Sequence, residues 1–151
     1  MEENNKIFLK NFIVNELGIP NDDIHKVLNC FSIKKVKRGT LISQSGDICR
    51  NFYIMTSGCI RTYYISKEGI EKTRLILFDT APVVNLLSFM TQEPSVEYIE
   101  ALEDSVLFAI SHTDFLRLKE EIPEWKDFYS TILERSFIFQ NKKIEDLVVL
   151  S

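Results

Sequence analysis

Four glycine turns, at Arg38-Gly39, Ser45-Gly46-Asp47, Ser57-Gly58 and Lys67-Glu68-Gly69, cut the segment after Ile33 into runs too short for ordinary helices. Between them the apolar residues recur with period two. Tyr53 and Met55 alternate with Phe52, Ile54 and Thr56, and Ser57-Gly58 then reverses the chain into a run from Cys59 to Ile65 rich in β-branched and aromatic residues. Ser66-Lys67-Glu68-Gly69 reads as a hairpin tip, with Gly69 free to adopt positive φ, and Thr73 to Phe78 returns antiparallel. Val96 to Ala101 and Ser105 to Ile110 supply two later strands, separated by Leu102-Glu103-Asp104. Strands this short, without long helices between them, predict a mainly β protein built as an antiparallel roll or barrel.

Helical spacing flanks the β region on both sides. Ile7, Phe8, Phe12 and Ile13 mark a first helix that Gly18 and Ile19-Pro20 stop, and Asn21 is placed to cap a second one carrying Ile24, Val27, Leu28 and Phe31. Together they read as a lid on the barrel. After Ile110, Thr113 or Ser111 can cap a short helix with Phe115, Leu116 and Leu118, which Ile122-Pro123 ends. Pro123 then suits the first turn of an uninterrupted helix from Glu124 to about Leu150, roughly 40 Å long at 1.5 Å per residue. Leu133, Phe137, Gln140, Ile144 and Leu147 form a seam on it with alternating spacings of four and three, whereas Trp125, Phe128, Ile132 and Phe139 lie on another face. One stripe is expected to cover the barrel and the other to meet a second copy in a homodimer.

Composition narrows the function classes. A net charge of -4 argues against the chain itself gripping a phosphate backbone, because that affinity rests on clustered Lys and Arg. The cluster Lys34, Lys35, Lys37 and Arg38 reads as a solvated face. No apolar run reaches the roughly 20 residues that span a bilayer, and Met1-Glu2-Glu3-Asn4-Asn5 lacks the opening of a signal peptide, so a cytoplasmic protein without membrane contact is expected. Cys30, Cys49 and Cys59 have no CxxC spacing and read as reduced, partly buried thiols.

The same residues carry a family resemblance. Lys37-Arg38-Gly39-Thr40-Leu41-Ile42 with Ser45-Gly46-Asp47 resembles the entry strands of the Crp/Fnr family of bacterial transcription regulators, and Phe52 to Arg61 resembles its glycine-turned hairpin. Ile99 to Ser105 and Asp114-Phe115 are similar to its last barrel strands and following helix. The resemblance, to the N-terminal cyclic-nucleotide-binding-like effector domain, implies a jelly-roll or cupin-like double-stranded β-helix over residues 1–122. It further implies a long dimerisation helix over 123–151, with DNA contacted only through a helix-turn-helix domain that would begin where Leu150-Ser151 ends the sequence.

In nucleotide-binding members, a phosphate cassette with a Gly-Glu pair and an Arg holds the ribose and cyclic phosphate. Aligned on Phe89, those positions carry Val84, Asn85 and Ser95, so the cation is missing and cyclic nucleotide binding of the usual kind is not expected. Another arginine stands open as a replacement. Arg61 or Arg74, with Tyr63 or Tyr98, would either point into the barrel toward a different anion or lie on its solvent face. The bend through Asn85, Leu86 and Ser88, facing Ser95, Val96 and Tyr98, is the expected address of a small effector, or is filled by Val84, Leu86 and Leu87.

Enzyme chemistry finds little support. His25 and His112 form no HxH pair, and GxSxG, GxxxxGK[ST] and GxGxxG are absent. The reading is therefore a non-enzymatic effector-sensing and dimerisation domain without an assigned cofactor. Its alternatives are a ligand-free interaction module and a small-molecule binding domain serving another protein.

Overall fold

The computed structural model describes residues 3–150; Met1, Glu2 and Ser151, which opened and closed the sequence reading, lie outside the described residues. Among the described residues, eight strands form two four-stranded antiparallel sheets packed as a jelly roll. One sheet has the order β1 (Phe31–Val36), β8 (Ser105–Ser111), β3 (Asn51–Ser57), β6 (Ala81–Val83); the other runs β2 (Leu41–Ser43), β7 (Tyr98–Ala101), β4 (Cys59–Ile65), β5 (Glu71–Phe78). Around them lie α1 (Glu3–Asn15), α2 (Ile24–Leu28), α3 (Leu86–Thr91), α4 (His112–Glu121) and α5 (Pro123–Leu150).

Two apolar cores explain why β3 reads as a nearly continuous apolar run. Tyr53 and Met55 point between the sheets, where they meet Ile60, Val83, Ile99 and Leu107. Phe52 and Ile54, of opposite parity, face the helices and meet Leu9, Ile13, Phe115 and Trp125. Trp125 has no solvent exposure, stacks edge-on with Phe115 at 5.0 Å and donates its Nε1–H to the Phe115 carbonyl at 3.1 Å. It roots α5 on α4 and the barrel.

Several local expectations are corrected. Phe31 opens β1, paired with Ile110, instead of extending the second helix, which ends at Leu28. Asn21 sits in a single 3-10 turn and provides no side-chain cap. Ser57-Gly58 makes no hairpin, because β3 and β4 belong to different sheets. Gly58, at φ 117°, turns a corner between them, packed directly on Ser105. The tip at Ser66–Gly69 does form, with Gly69 at φ 81° and its N–H donated to the Ser66 carbonyl. Ser111, rather than Thr113, caps α4 by accepting from the Asp114 amide at 3.1 Å.

On α5, Trp125, Phe128 and Ile132 pack against the helix-side core as the stripe predicts, but Phe139 is partly exposed. Of the seam, Leu133 also leans on that core and Gln140 turns toward the barrel, whereas Phe137, Ile144 and Leu147 are 69%, 56% and 72% exposed. Toward the C-terminal end of α5, Ile144, Leu147, Val149 and Leu150 are exposed in the single chain. Among the described residues, no helix is long and apolar enough to cross a membrane. The three cysteines form no disulfide; Cys49 and Cys59 are buried, and burial pushes both thiols up.

Candidate ligand-binding site

The bend between β6 and β7 carries most of the residues expected to form a site. Asn85 caps α3, its Oδ1 accepting from the Ser88 amide at 2.9 Å, and its Nδ2 donates to Ser95 Oγ at 2.8 Å and to Glu97 Oε1 at 3.1 Å. Ser88, almost fully buried, accepts from the Cys49 amide and donates to the Glu93 carbonyl, which locks α3 onto the loop before β3. Ser95 Oγ also accepts from the Glu97 amide at 2.9 Å. Asn85, Ser88 and Ser95 are thus held by their neighbours rather than aimed at open space.

Beside this bend lies a cavity of about 480 Å³. Asn85, Leu86, Ser88, Ser95 and Val96 line it, together with Arg74 from β5, Tyr64 from β4 and Ser136 and Gln140 from α5. Arg74 reaches it through a bulge. Opposite Thr62 and Tyr63, β5 pairs Leu75 and Thr73, so Arg74 is the extra residue and swings to the inner face. Its Nη1 lies 3.4 Å from Glu97 Oε2.

Glu97 is the residue that the sequence reading missed. Its side chain is 1% exposed, and burial raises its pKa against the opposing pull of Arg74, Tyr64 and Asn85. Parity was the available signal: two residues before the inward Ile99 and four before Ala101, an extended chain turns position 97 to the same side.

The opposite parity removes three expected residues from the cavity. Arg61, Tyr63 and Tyr98 alternate with the core residues Ile60 and Ile99, which places them on the outer face of the sheet. There Arg61 pairs with Glu100 at 2.8 Å and Glu71 at 3.3 Å and lies 3.9 Å over the Tyr63 ring, which stacks on Tyr98. These two carboxylates already occupy the guanidinium. Val84 and Leu86 pack toward the core, but Leu87 is 76% exposed and does not plug the cavity. A larger cleft of about 950 Å³ separates α1 from α5, between Phe12, Phe128 and Arg135, and contains none of the expected site residues. Among the described residues, no group of three or more His, Cys, Asp or Glu is placed to hold a metal ion.

Two connections link the cavity to α5. Lys143 Nζ donates to the Arg74 carbonyl at 3.3 Å, and Phe89 of α3 packs on Phe115, which in turn contacts Trp125.

Comparison with known proteins places this geometry in context. The profile of the cyclic nucleotide-binding domain matches residues 33–121, more than half of the chain. The chain is 30% identical over 89 residues to mouse (Mus musculus) patatin-like phospholipase domain-containing protein 7, covering 59% of this chain and 7% of that protein. It is 24% identical over 106 residues to the cyclic AMP receptor protein of Thermus thermophilus, covering 70% of this chain and 49% of the relative. The chain therefore spans less than half the length of either. The fold is similar to the catabolite activator protein of Thermus thermophilus, with TM-score 0.75 and 22% identity over 86% of this chain and 61% of the other. It also resembles the sensor domain of the transcriptional regulator DNR from Pseudomonas aeruginosa, with TM-score 0.75 and 18% identity over 96% of both.

Proposed function

The chain belongs to the cyclic nucleotide-binding domain family, and from that premise we propose that it is the effector-sensing and dimerisation part of a Crp/Fnr-type transcription regulator. Residues 1–122 act as the sensor and 123–151 as the helix that joins two copies, with no catalytic role; DNA is reached through a domain outside this sequence. One observation carries the reading. The same helix walls the cassette cavity with Ser136 and Gln140 and also exposes Phe137, Ile144 and Leu147. A ligand that changes the cavity therefore has a direct lever on the surface offered to a second copy. Since DNA half-sites lie about 34–36 Å apart, a small tilt of paired helices suffices to alter their register.

Cyclic phosphate is a poor ligand for this cavity. The position expected to hold the cation is Ser95, and Arg74 is already paired with Glu97. An unmatched buried phosphate costs several kcal/mol. A second reading, a dimerisation module without ligand, draws on the internal bonding of Asn85, Ser88 and Ser95.

Light scattering tests the helix assignment. The purified chain is expected at twice its 17.6 kDa. Phe137→Glu and Ile144→Glu each place a carboxylate in the apolar contact at a cost of about 3 kcal/mol, which weakens association by roughly 100-fold and gives monomers. Because both positions are exposed in the single chain, melting of the monomer should hardly change. Dimers that survive both substitutions would take α5 out of the interface.

A further inference from the structure

We propose that the Glu97 carboxylate is the resident anion of the cassette cavity, taking the subsite on which Arg74, Asn85 and Tyr64 converge and excluding an external phosphate or carboxylate from it. The inference rests on reading this cavity as the effector site, and it names the residue that sets the site's specificity.

Three separate segments surround the carboxylate. Asn85 comes from the cap of α3 and lies 3.1 Å from Oε1, Arg74 comes from the β5 bulge and lies 3.4 Å from Oε2, and Tyr64 of β4 lines the same cavity. A carboxylate 1% exposed is tolerated only where such donors meet it. The bulge is informative in this respect. Without it, Arg74 would follow strand alternation to the outer face, so the strand breaks its register where a cation is needed on the inside. The second oxygen of Glu97 and the guanidinium then match each other's charge.

The arrangement leaves nothing for an incoming anion. The Arg74 charge is taken, Ser95 Oγ is shared between Asn85 and the Glu97 amide, and Glu93 adds a second carboxylate at the rim. An anion entering from the Gln140 side meets two carboxylates against one guanidinium, a net repulsion in a partly desolvated space. Removing Glu97 reverses that balance.

The test compares wild type, Glu97→Ala, Glu97→Gln and Glu97→Ala/Arg74→Ala, titrated with sodium acetate and with inorganic phosphate at constant ionic strength. Binding is read by calorimetry and by the shift in melting temperature. Glu97→Ala is expected to bind either anion saturably, roughly tenfold or more tightly than wild type, and the added Arg74→Ala to abolish the gain. Glu97→Gln keeps the shape and leaves Arg74 unmatched, so phosphate should raise its melting temperature while that of wild type stays flat. If Glu97→Ala does not fold, Glu97→Gln alone decides. Responses no larger than wild type in every folded variant overturn the inference but leave the reading of the cavity intact. Saturable binding of phosphate or cAMP by the wild type, with Glu97 unaltered, overturns the inference while keeping the cavity as an effector site; a gain in Glu97→Ala that survives the added Arg74→Ala places binding elsewhere and removes the reading of the cavity as well.

Discussion

Trp125→Ala is expected to lower the stability of the chain by about 3–5 kcal/mol, read as a fall in the denaturation midpoint followed by far-ultraviolet circular dichroism. Trp125 is fully buried where α4, α5 and the barrel meet, with Phe115 at 5.0 Å, Phe128 at 5.3 Å and Phe31 at 6.1 Å. Alanine leaves a cavity that three rings from separate elements cannot close together, and it orphans no buried donor because the indole N–H leaves with the ring. The Phe115 carbonyl still accepts within its own helix. At roughly 2–4 °C per kcal/mol for a chain of this size, melting should fall by about 10 °C. Trp125→Phe, which retains most of the packing, should lose less than half as much. The effect reaches function as well, because Trp125 roots the helix that walls the cavity. A loss below about 1 kcal/mol for alanine would mean that α5 is not anchored there.

Gly58→Ala is expected to be nearly as damaging, for a reason unrelated to cavity formation. At φ 117° the backbone occupies a region that L side chains rarely adopt, and an added Cβ would lie 2.7 Å from the Ser105 Cα. Rotating the serine gives no relief from a contact with its backbone. Nor can Ser105 move away, since β8 is held between β1 and β3 and Ser105 Oγ accepts from the Cys59 amide. Strain and overpacking together are expected to cost about 3 kcal/mol or more. Gly69→Ala is the matching control: its φ is 81°, but nothing lies within 4 Å, so the cost should stay near 1–2 kcal/mol. Equal losses at the two glycines, measured by urea unfolding, would show that the Ser105 contact is unimportant.

These two positions also indicate how much of the molecule was legible in its sequence. Period-two runs between glycine turns were enough for the β architecture, and Pro123 marked the first turn of α5 because its ring suits a position that lacks a helical N–H partner. Less could be read where a tertiary choice decides. Phe31 fits a helical stripe as well as a strand, and pairing with Ile110 settles it. Gly58 looked like a hairpin turn because a glycine between two strands carries no record of which sheet each strand joins. The lining of the cavity was legible in address but not in membership. Asn85, Leu86, Ser88, Ser95 and Val96 surround the cavity, whereas Arg61, Tyr63 and Tyr98 face outward by strand parity. Arg74 obeys no parity because of a single extra residue in β5, a bulge that no local pattern announces. Glu97 was obscured for a different reason. A lone acidic residue beside a tyrosine reads as solvated until the donors that hold it, drawn from β4, β5 and α3, are brought together by the fold.

Calorimetric titration of the purified chain with cAMP and cGMP probes whether the phosphate position of this barrel is closed to cyclic phosphate. No saturable heat is expected from either nucleotide, because Ser95 offers no charge and Arg74 is matched by Glu97. Tight binding of one nucleotide per chain would contradict this expectation and assign Arg74 to the phosphate.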